Sequence, residues 1–205
     1  SKPGIPSILD LEYPGEPEYG KISANSGLLS IMSIFAAYNL CKLSYAQAMV
    51  TAPISKEAIN LAGFKYDGHT GLLADLSKNK KICMMLLSDF MRVGLVTTHL
   101  PVNEISSNLS QKVILEKLEI LNRSLQNDFS ISKPKIAVLG LNPHAGDGGI
   151  LGKEEKQIIE PAISKALKKG IKAFGPFASD AFFARYVKGK FDAILAMYHD
   201  QGLIP

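Results

Sequence analysis

Three of the four histidines in this 205-residue chain come directly after apolar runs typical of buried strands. His99 ends GLVTTH, His144 follows IAVLGLN and His199 ends AILAMYH. Open α/β sheets bind ligands at the carboxyl ends of their strands, so this placement predicts that the three imidazoles share one site. Neutral imidazole is a common metal ligand, and three protein ligands leave a position open for substrate. The pattern favours a catalytic metal, and a hydrogen-bonded histidine at the rim of the core is the alternative at each position.

The fourth histidine, His69, lies in the segment GHTGLLADLS, with Thr70 at the predicted start of a helix. Backbone N–H groups at a helix start, together with the Thr70 hydroxyl and the His69 ring, could hold a phosphate or a carboxylate. A threonine that only caps its helix is the alternative. The glycine-rich segment NPHAGDGG around His144 is either a tight loop or a loop whose amides face a ligand.

Several other kinds of site have no support in the sequence. It contains neither GxGxxG nor GxxxxGK followed by Ser or Thr, so a Rossmann or P-loop nucleotide site is not indicated. It also contains no GxSxG, and neither Cys41 nor Cys83 has a histidine nearby, so no covalent nucleophile is apparent. Both cysteines lie in apolar segments and are expected to be reduced core residues.

The elements that must position these residues alternate between helix and strand. This alternation predicts an α/β fold with a largely parallel sheet. Caps and apolar periodicity predict helices at about 26–40, 55–63, 70–79, 103–127, 153–170 and 179–187. Strands are predicted at 47–54, 81–88, 92–99, 171–177 and 191–199, and a further strand begins at residue 135.

Composition narrows the function classes. The chain is 46% hydrophobic and 20% charged, as expected of a globular protein with a core. Its net charge of +4 is spread along the chain without a run of five like charges, which argues against nucleic-acid binding. No apolar run approaches the ~20 residues that span a bilayer, and the N-terminal segment lacks the pattern of a signal peptide. We therefore expect no membrane partner and a cytoplasmic location.

With these residues in view, the sequence resembles the 4-hydroxythreonine-4-phosphate dehydrogenase family of vitamin B6 synthesis. The resemblance rests on five blocks in the family's order and spacing, which cover most of residues 47–205. They are TAPISKEAINLAGFKYDGHTGLLADLS, VTTHLPV, LGLNPHAGDGG with GKEE just after it, GPFASDAFF, and DAILAMYHDQGLIP.

The resemblance implies an activity and a fold. The family uses NAD to oxidise 4-phosphooxy-L-threonine, and the product loses carbon dioxide to leave 3-amino-2-oxopropyl phosphate, on the route to pyridoxal phosphate. The implied fold is like that of isocitrate dehydrogenase, with two α/β lobes, a largely parallel sheet and a cleft between the lobes. The implied assembly is a homodimer whose metal site takes ligands from both subunits, with the counterpart of His199 supplied by the partner chain.

The resemblance also assigns roles to individual residues. It implies that His99, His144 and His199 bind a divalent metal and that His69 and Thr70 contact the substrate. Asp200 and Asp180 match acidic positions of the family, where they would support the histidines or relay protons, and Lys56 matches a basic position near the site. A loop aspartate, a helix-capping aspartate and a solvated lysine are the structural alternatives.

The resemblance further predicts that the chain is the central part of one dehydrogenase fold, incomplete at both ends. Approximate sub-regions are expected at 21–134 and 135–205, and the residues of the cofactor site are expected beyond residue 205. Zinc is the expected metal, with cobalt or magnesium as alternatives. NADP in place of NAD also stays open.

Alternative functions remain at this point. A relative with the same fold could act on a threonate or erythronate 4-phosphate. The three histidines alone would also suit a metal-dependent hydrolase or lyase without nicotinamide, or a non-catalytic metal-binding module.

Overall fold

The computed structural model divides the chain into two compact units, Ser1–Lys80 and Lys81–Pro205. The approximate sub-regions expected from the sequence, 21–134 and 135–205, divide the chain after residue 134 instead. Strands on both sides of that residue belong to one sheet, so the observed and expected divisions differ. The structure describes residues 6–13, 15–16, 19–66, 68–79 and 81–205.

The first unit is built from the helices α1 (Ala24–Lys42), α2 (Lys56–Leu61) and α3 (His69–Leu76). The Ser23 side chain accepts the N–H of Ser26 and caps α1. Ser55 caps α2 by accepting the N–H of Ala58. These side chains satisfy backbone donors that have no partner inside the helix. The three helices confirm the sequence prediction to within a few residues.

Among the described residues, one helix, α1, has the length and apolar composition to cross a membrane, with 19 residues and a mean hydropathy of 1.2. A single helix of this kind is weak evidence for a membrane span. Ile31 and Ile34 of α1 are buried in one cluster with Ile59 and Leu72 from the other two helices. These contacts cover one face of α1, and 17% of its apolar window is buried in the first unit.

The strand predicted over residues 47–54 is wrong. The structure assigns no strand to this segment, and Val50 is 99% exposed. A strand is stabilised by hydrogen bonds to a neighbouring strand. The described part of the first unit contains no strand that could pair with it, so its apolar composition was misleading.

The second unit contains one mixed sheet. Its strands are β1 (Met85–Leu87), β2 (Arg92–Leu95), β3 (Lys135–Leu139), β4 (Lys172–Phe177) and β5 (Ala193–Ala196). They lie in the order β1-β2-β5-β3-β4, with β1 antiparallel to β2 and all other neighbours parallel. The carboxyl ends of β2, β5, β3 and β4 therefore share one edge. The predicted α/β class with a largely parallel sheet is confirmed.

Both faces of the sheet are covered. Ile136 and Val138 of β3 pack with apolar side chains of the helices at 111–127 and 160–168, whereas Ala137 and Leu139 face an aromatic cluster that includes Phe182. This alternation follows from the two-residue period of a strand. The helices of the unit are α4 (Ile105–Asn108), α5 (Gln111–Asn127), α6 (Glu160–Lys168), α7 (Ser179–Ala184) and α8 (His199–Leu203).

The helix predicted over 103–127 is interrupted. The chain forms α4 and then starts again at α5, because the Ser110 side chain accepts the N–H of Val113 and caps the second helix. Sequence periodicity alone does not distinguish a capping serine from one inside a helix. Ahead of α6, Glu155–Ile159 form a π-helical turn that continues into that helix.

Candidate functional site

The order of the strands determines which histidine loops are neighbours. His99 follows β2, His199 follows β5 as the first residue of α8, and His144 follows β3. Since β5 lies between β2 and β3, the His199 segment has the other two loops on either side. The sequence prediction that these histidines follow strands of a parallel sheet is confirmed by this arrangement.

Two of the imidazoles are close together within one chain. The ring centroids of His99 and His199 lie 5.8 Å apart, and their planes are inclined by 47°. Nδ1 of His199 lies 2.8 Å from Oδ1 of Asp200. A carboxylate that accepts Nδ1–H leaves Nε2 of the ring with a free lone pair for a ligand. Asp200 is therefore placed to orient His199.

His144 lies on an unusual turn, Pro143–Gly149. The backbone is left-handed at successive positions, with φ of 53° at His144, 51° at Ala145, 80° at Gly146 and 42° at Asp147. Residues with a Cβ lose about 1–2 kcal/mol each in this conformation. The turn must therefore be stabilised by groups around it.

Glu155 supplies much of that stabilisation. This residue is only 2% exposed. Its Oε1 accepts the backbone N–H groups of Leu141 and Asn142, at 2.8 Å each. Oε2 accepts Nδ2–H of Asn142 at 3.0 Å. A Cβ on Gly146 would lie 2.6 Å from Oε2, so the turn rests directly on the carboxylate. Glu155 thereby holds the segment that presents His144.

The neighbouring Glu154 joins two of the loops. Its Oε1 accepts the Ser106 hydroxyl at 2.6 Å and its Oε2 accepts Nδ2–H of Asn142 at 2.8 Å. The hydrogen bond from Ser106, followed by that from Asn142, lowers the pKa of the Glu154 carboxyl below its ordinary value. Since Ser106 belongs to α4, this carboxylate links the segment after β2 to the segment after β3.

The histidine pair fits part of a metal site. Zinc lies about 2.0–2.1 Å from each imidazole nitrogen that binds it. Two rings with centroids 5.8 Å apart can thus bind the same ion. Within one chain, the described residues contain no group of three or more His, Cys, Asp or Glu side chains arranged for a metal ion. The structure brings His99 and His199 together and does not group His144 with them.

The remaining predicted site residues lie apart from this pair in the chain. Asp180 is exposed in the first turn of α7. Lys56 is the exposed first residue of α2, and Thr70 is exposed in the first turn of α3. Nε2 of His69 is buried without a hydrogen-bond partner among the described residues. Lys56, His69 and Thr70 belong to the first unit, and the other predicted residues to the second.

The sequence matches one known protein family over almost its whole length. The family model described as pyridoxal phosphate biosynthetic protein PdxA matches residues 3–205. The chain belongs to the PdxA family. The resemblance found from the sequence blocks is thereby confirmed.

Curated relatives of this PdxA-family chain are named 4-hydroxythreonine-4-phosphate dehydrogenase. The protein of Desulforapulum autotrophicum is 44% identical over 91% of the chain and 55% of its own length. That of Geobacter metallireducens is 43% identical over 100% of the chain and 61% of its own length. The chain thus spans little more than half the length of these relatives.

Solved structures agree on the fold of the PdxA-family chain. The 4-hydroxythreonine-4-phosphate dehydrogenase of Klebsiella pneumoniae superimposes with a TM-score of 0.86 at 38% identity, covering 91% of this chain and 56% of that one. A terephthalate 1,2-cis-dihydrodiol dehydrogenase from Burkholderia xenovorans gives a TM-score of 0.71 at 28% identity, covering 91% and 59%. The predicted fold class is confirmed by these likenesses.

Sequence reasoning missed the buried polar residues of this PdxA-family site. Among the described residues, the polar side chains in buried positions are Thr97, Glu155 and Gln201. Each lies beside a histidine loop: Thr97 just before His99, Gln201 just after His199, and Glu155 beneath the turn of His144. A sequence signal existed only in their nearness to the histidine blocks, because a single sequence does not show that a glutamine or a threonine is buried.

Proposed function

We propose that the intact protein oxidises 4-phosphooxy-L-threonine (4-hydroxythreonine 4-phosphate) with NAD and that decarboxylation then yields 3-amino-2-oxopropyl phosphate, a step in pyridoxal phosphate synthesis. Membership of the PdxA family and relatives named for this activity support the proposal. The observation that carries it is the close approach of His99 and His199 at the carboxyl edge of the sheet. Two adjacent imidazoles can hold a divalent metal, which would stabilise the negative charge that develops on the oxygen of a secondary alcohol during its oxidation.

His99, His144 and His199 are the proposed metal ligands. When bound, a divalent metal would stabilise negative charge on the substrate oxygen and NAD would accept the hydride. Zinc suits an imidazole ligand set, and cobalt or magnesium are the alternatives. Asp200 keeps His199 oriented through the 2.8 Å contact with Nδ1. No residue of this chain is assigned to NAD or NADP.

We propose a homodimer in which a second copy completes the metal site. One chain brings two imidazoles together, and its described residues contain no group of three His, Cys, Asp or Glu side chains that could hold a metal ion. Three protein ligands are usual in a catalytic zinc site. The resemblance implies that His199 is the ligand that a second copy supplies, and the position of His199 beside His99 within one chain makes it the residue whose subunit has to be tested. We place this dimer in the cytoplasm.

His69 and Thr70 are the proposed substrate contacts. The buried Nε2 of His69 has no hydrogen-bond partner among the described residues, and a buried polar atom of this kind is costly unless a ligand or water satisfies it. Thr70 lies in the first turn of α3, where backbone N–H groups favour an anion such as phosphate. This pair supports a substrate that carries a phosphate and a second group able to form a hydrogen bond.

Asp180 and Lys56 are proposed to transfer protons to or from the substrate. The oxidation releases the proton of the substrate hydroxyl, and the exposed carboxylate of Asp180 or that of Asp200 would accept it. The carbanion left by loss of carbon dioxide must then take up a proton, which the Lys56 ammonium would donate.

A second candidate function uses a different substrate. The likeness to a dihydrodiol dehydrogenase at 28% identity favours a fold that serves more than one hydroxylated substrate. Threonate or erythronate 4-phosphate would then replace the amino acid. A metal-dependent hydrolase or lyase without nicotinamide is the alternative from another class.

One assay separates these functions. The intact protein is supplied with NAD and Zn²⁺, and formation of the reduced cofactor is followed by absorbance with each of the three phosphorylated acids. We expect 4-phosphooxy-L-threonine to react fastest and His99→Ala to lose more than 100-fold in kcat/KM, whereas Asp89→Asn, an exposed residue beyond β1, retains activity. Absence of reduced cofactor with every substrate would exclude the dehydrogenase.

A further inference from the structure

Gln201 makes polar contacts with three separate segments. The residue is 8% exposed, and its Oε1 accepts the backbone N–H of Met197 at 2.6 Å. Its Nε2 donates to the carbonyl oxygen of Gly140 and to the hydroxyl oxygen of Ser179, at 2.6 Å each. Both amide hydrogens and the amide oxygen are therefore used, so every polar atom of this buried side chain has a partner.

The three partners lie at the carboxyl ends of three neighbouring strands. Gly140 follows β3, Ser179 begins α7 after β4, and Met197 follows β5. One side chain thus joins the backbone at these ends, at the edge that carries the histidine loops. Buried side chains with several well-aligned hydrogen bonds tend to specify a single arrangement of the groups they join.

Thr97 extends the same network to β2. Its backbone N–H and its hydroxyl both donate to the carbonyl oxygen of Met197, at 3.1 and 2.8 Å. The peptide groups on both sides of Met197 are accordingly held, one by Thr97 and the other by Gln201. Thr97 lies just before His99, and Met197 lies just before His199.

The helix that carries His199 is also held by close packing. A Cβ on Gly202 would lie 2.6 Å from Cδ2 of Leu95 and 3.0 Å from Cγ1 of Val93. The backbone of α8 therefore lies directly against β2. Together with the Gln201 contacts, this leaves the first turn of α8 little freedom to shift relative to the strand ends.

We propose that Gln201 is a positioning residue of the candidate metal centre: by coupling the first turn of α8 to the strand ends at Gly140 and Met197, it fixes the position of His199. The inference rests on the proposed metal-binding function. It assigns to Gln201 no contact with metal or substrate. Replacing a residue that orients a metal ligand typically lowers metal affinity by about 10–100-fold.

The competing explanation is that Gln201 only satisfies buried backbone groups. In that case its loss would destabilise the fold without a specific effect on the site. Gln201→Glu separates the two, because a carboxylate of the same size still accepts from Met197 and Ser179 but has no hydrogen to donate to the Gly140 carbonyl. Gln201→Met removes all three hydrogen bonds at similar volume.

The test is calorimetric titration of the intact protein with Zn²⁺, at a temperature well below the unfolding midpoint of every variant. We expect Gln201→Met and Gln201→Glu to bind Zn²⁺ about 10–100-fold more weakly and to change the visible spectrum of the Co²⁺-loaded protein. Gln126→Met replaces an exposed glutamine of α5 and should leave both readouts unchanged. Leu125→Ala opens the core of α5, and it should lower the unfolding midpoint without weakening Zn²⁺ binding.

The outcomes distinguish this inference from the proposed function. If His99→Ala and His199→Ala abolish Zn²⁺ binding while both Gln201 variants bind as tightly as wild type, the positioning role is refuted and the metal centre stands. If the wild type does not bind Zn²⁺ through these histidines, both ideas fail together. Should Gln201→Met not fold, Gln201→Glu decides the question, since it keeps two of the three contacts.

Discussion

The rings of His99 and His199 lie with 5.8 Å between their centroids, although the two residues are far apart in the chain. Parallel pairing of β2 with β5 accounts for this, because the ladder continues beyond the strands: the N–H of Val96 donates to Ala196, and that of Thr97 to Met197. The hydrogen bonds therefore bring corresponding positions of the two segments side by side. A register shift of one residue would change the distance between the rings.

Asp200 offers the first prediction on this pair. Asp200→Ala should weaken Zn²⁺ binding by about 10–100-fold, because His199 would lose the carboxylate that orients its ring. Asp200→Asn should have a smaller effect, since an amide oxygen can still accept Nδ1–H. The Asp200 side chain is 68% exposed, so the unfolding midpoint should not change. Zinc titration and thermal unfolding check both statements.

The control for Asp200 is Asp89→Ala. Asp89 is also exposed but lies in the turn between β1 and β2, at the amino end of β2. The Asp89→Ala substitution should leave zinc affinity unchanged. Equal affinity in Asp200→Ala and wild type would show that this carboxylate does not support His199.

The pair illustrates what the sequence could predict. Apolar runs followed by histidine indicated that His99 and His199 come at the ends of parallel strands, and the α/β pattern indicated that those ends share an edge. The strand order was not predictable, because it depends on which strands pair in three dimensions. For the same reason the apolar segment 47–54 was mistaken for a strand.

Glu155 is the subject of the second prediction. Glu155→Ala leaves the N–H groups of Leu141 and Asn142 without their acceptor, and a buried donor without a partner costs about 1–3 kcal/mol. We expect the free energy of unfolding to fall by about 2–5 kcal/mol in Glu155→Ala, and by less in Glu155→Gln, which keeps one acceptor oxygen. Denaturant unfolding measures both values.

Glu160→Ala is the matched control, since Glu160 is exposed in α6. Its effect should be within about 0.5 kcal/mol of zero. A loss in Glu155→Ala as small as that of the control would contradict the assignment of Glu155 as the support of the His144 turn.

The turn that Glu155 supports also marks the limit of sequence reasoning. The glycines of NPHAGDGG indicated a tight loop, but positive φ at His144, Ala145 and Asp147 was not expected, because residues with a Cβ rarely adopt it. The cause is a buried carboxylate that follows the loop in sequence. Only the folded structure shows that Glu155, rather than the adjacent Glu154, is the buried one of the two.

Glu154 gives a prediction about pH. The pKa of its carboxyl is lowered in the folded protein by the hydrogen bonds from Ser106 and Asn142. A lowered folded-state pKa contributes stability that is fully present above the unfolded-state pKa of about 4.3 and is lost as the pH falls through the folded-state value. Wild type should therefore exceed Glu154→Gln in stability by about 1 kcal/mol at neutral pH.

The measurement is denaturant unfolding of both proteins between neutral pH and the lowest pH at which wild type still folds. The stability difference should stay constant down to the unfolded-state pKa and shrink below it. Glu160→Gln should give a difference near zero throughout. A difference between wild type and Glu154→Gln that grows as the pH falls would contradict the sign derived from the lowered pKa.

The last prediction compares two glycines of the first unit. A Cβ on Gly27 would overlap the backbone carbonyl of Ala58, because α1 and α2 are in contact there through their main chains. Gly27→Ala must push the helices apart and should destabilise the protein by about 1–3 kcal/mol. A Cβ on Gly71, in contrast, would meet only Cδ1 of Tyr66, at 3.9 Å. Since alanine is the better helix former, Gly71→Ala in α3 should stabilise by about 0.5–1 kcal/mol.

The two variants should thus shift the midpoint of thermal unfolding in opposite directions. Because each adds one methyl group to a helix, the added methyl group alone cannot explain a difference between them. The comparison bears on α1 in particular, whose apolar composition also resembles that of a membrane helix. If Gly27→Ala unfolds at the same temperature as wild type, α1 and α2 do not approach through their backbones at Gly27. A loss confined to Gly27→Ala would instead support close packing of α1 against α2 in the first unit.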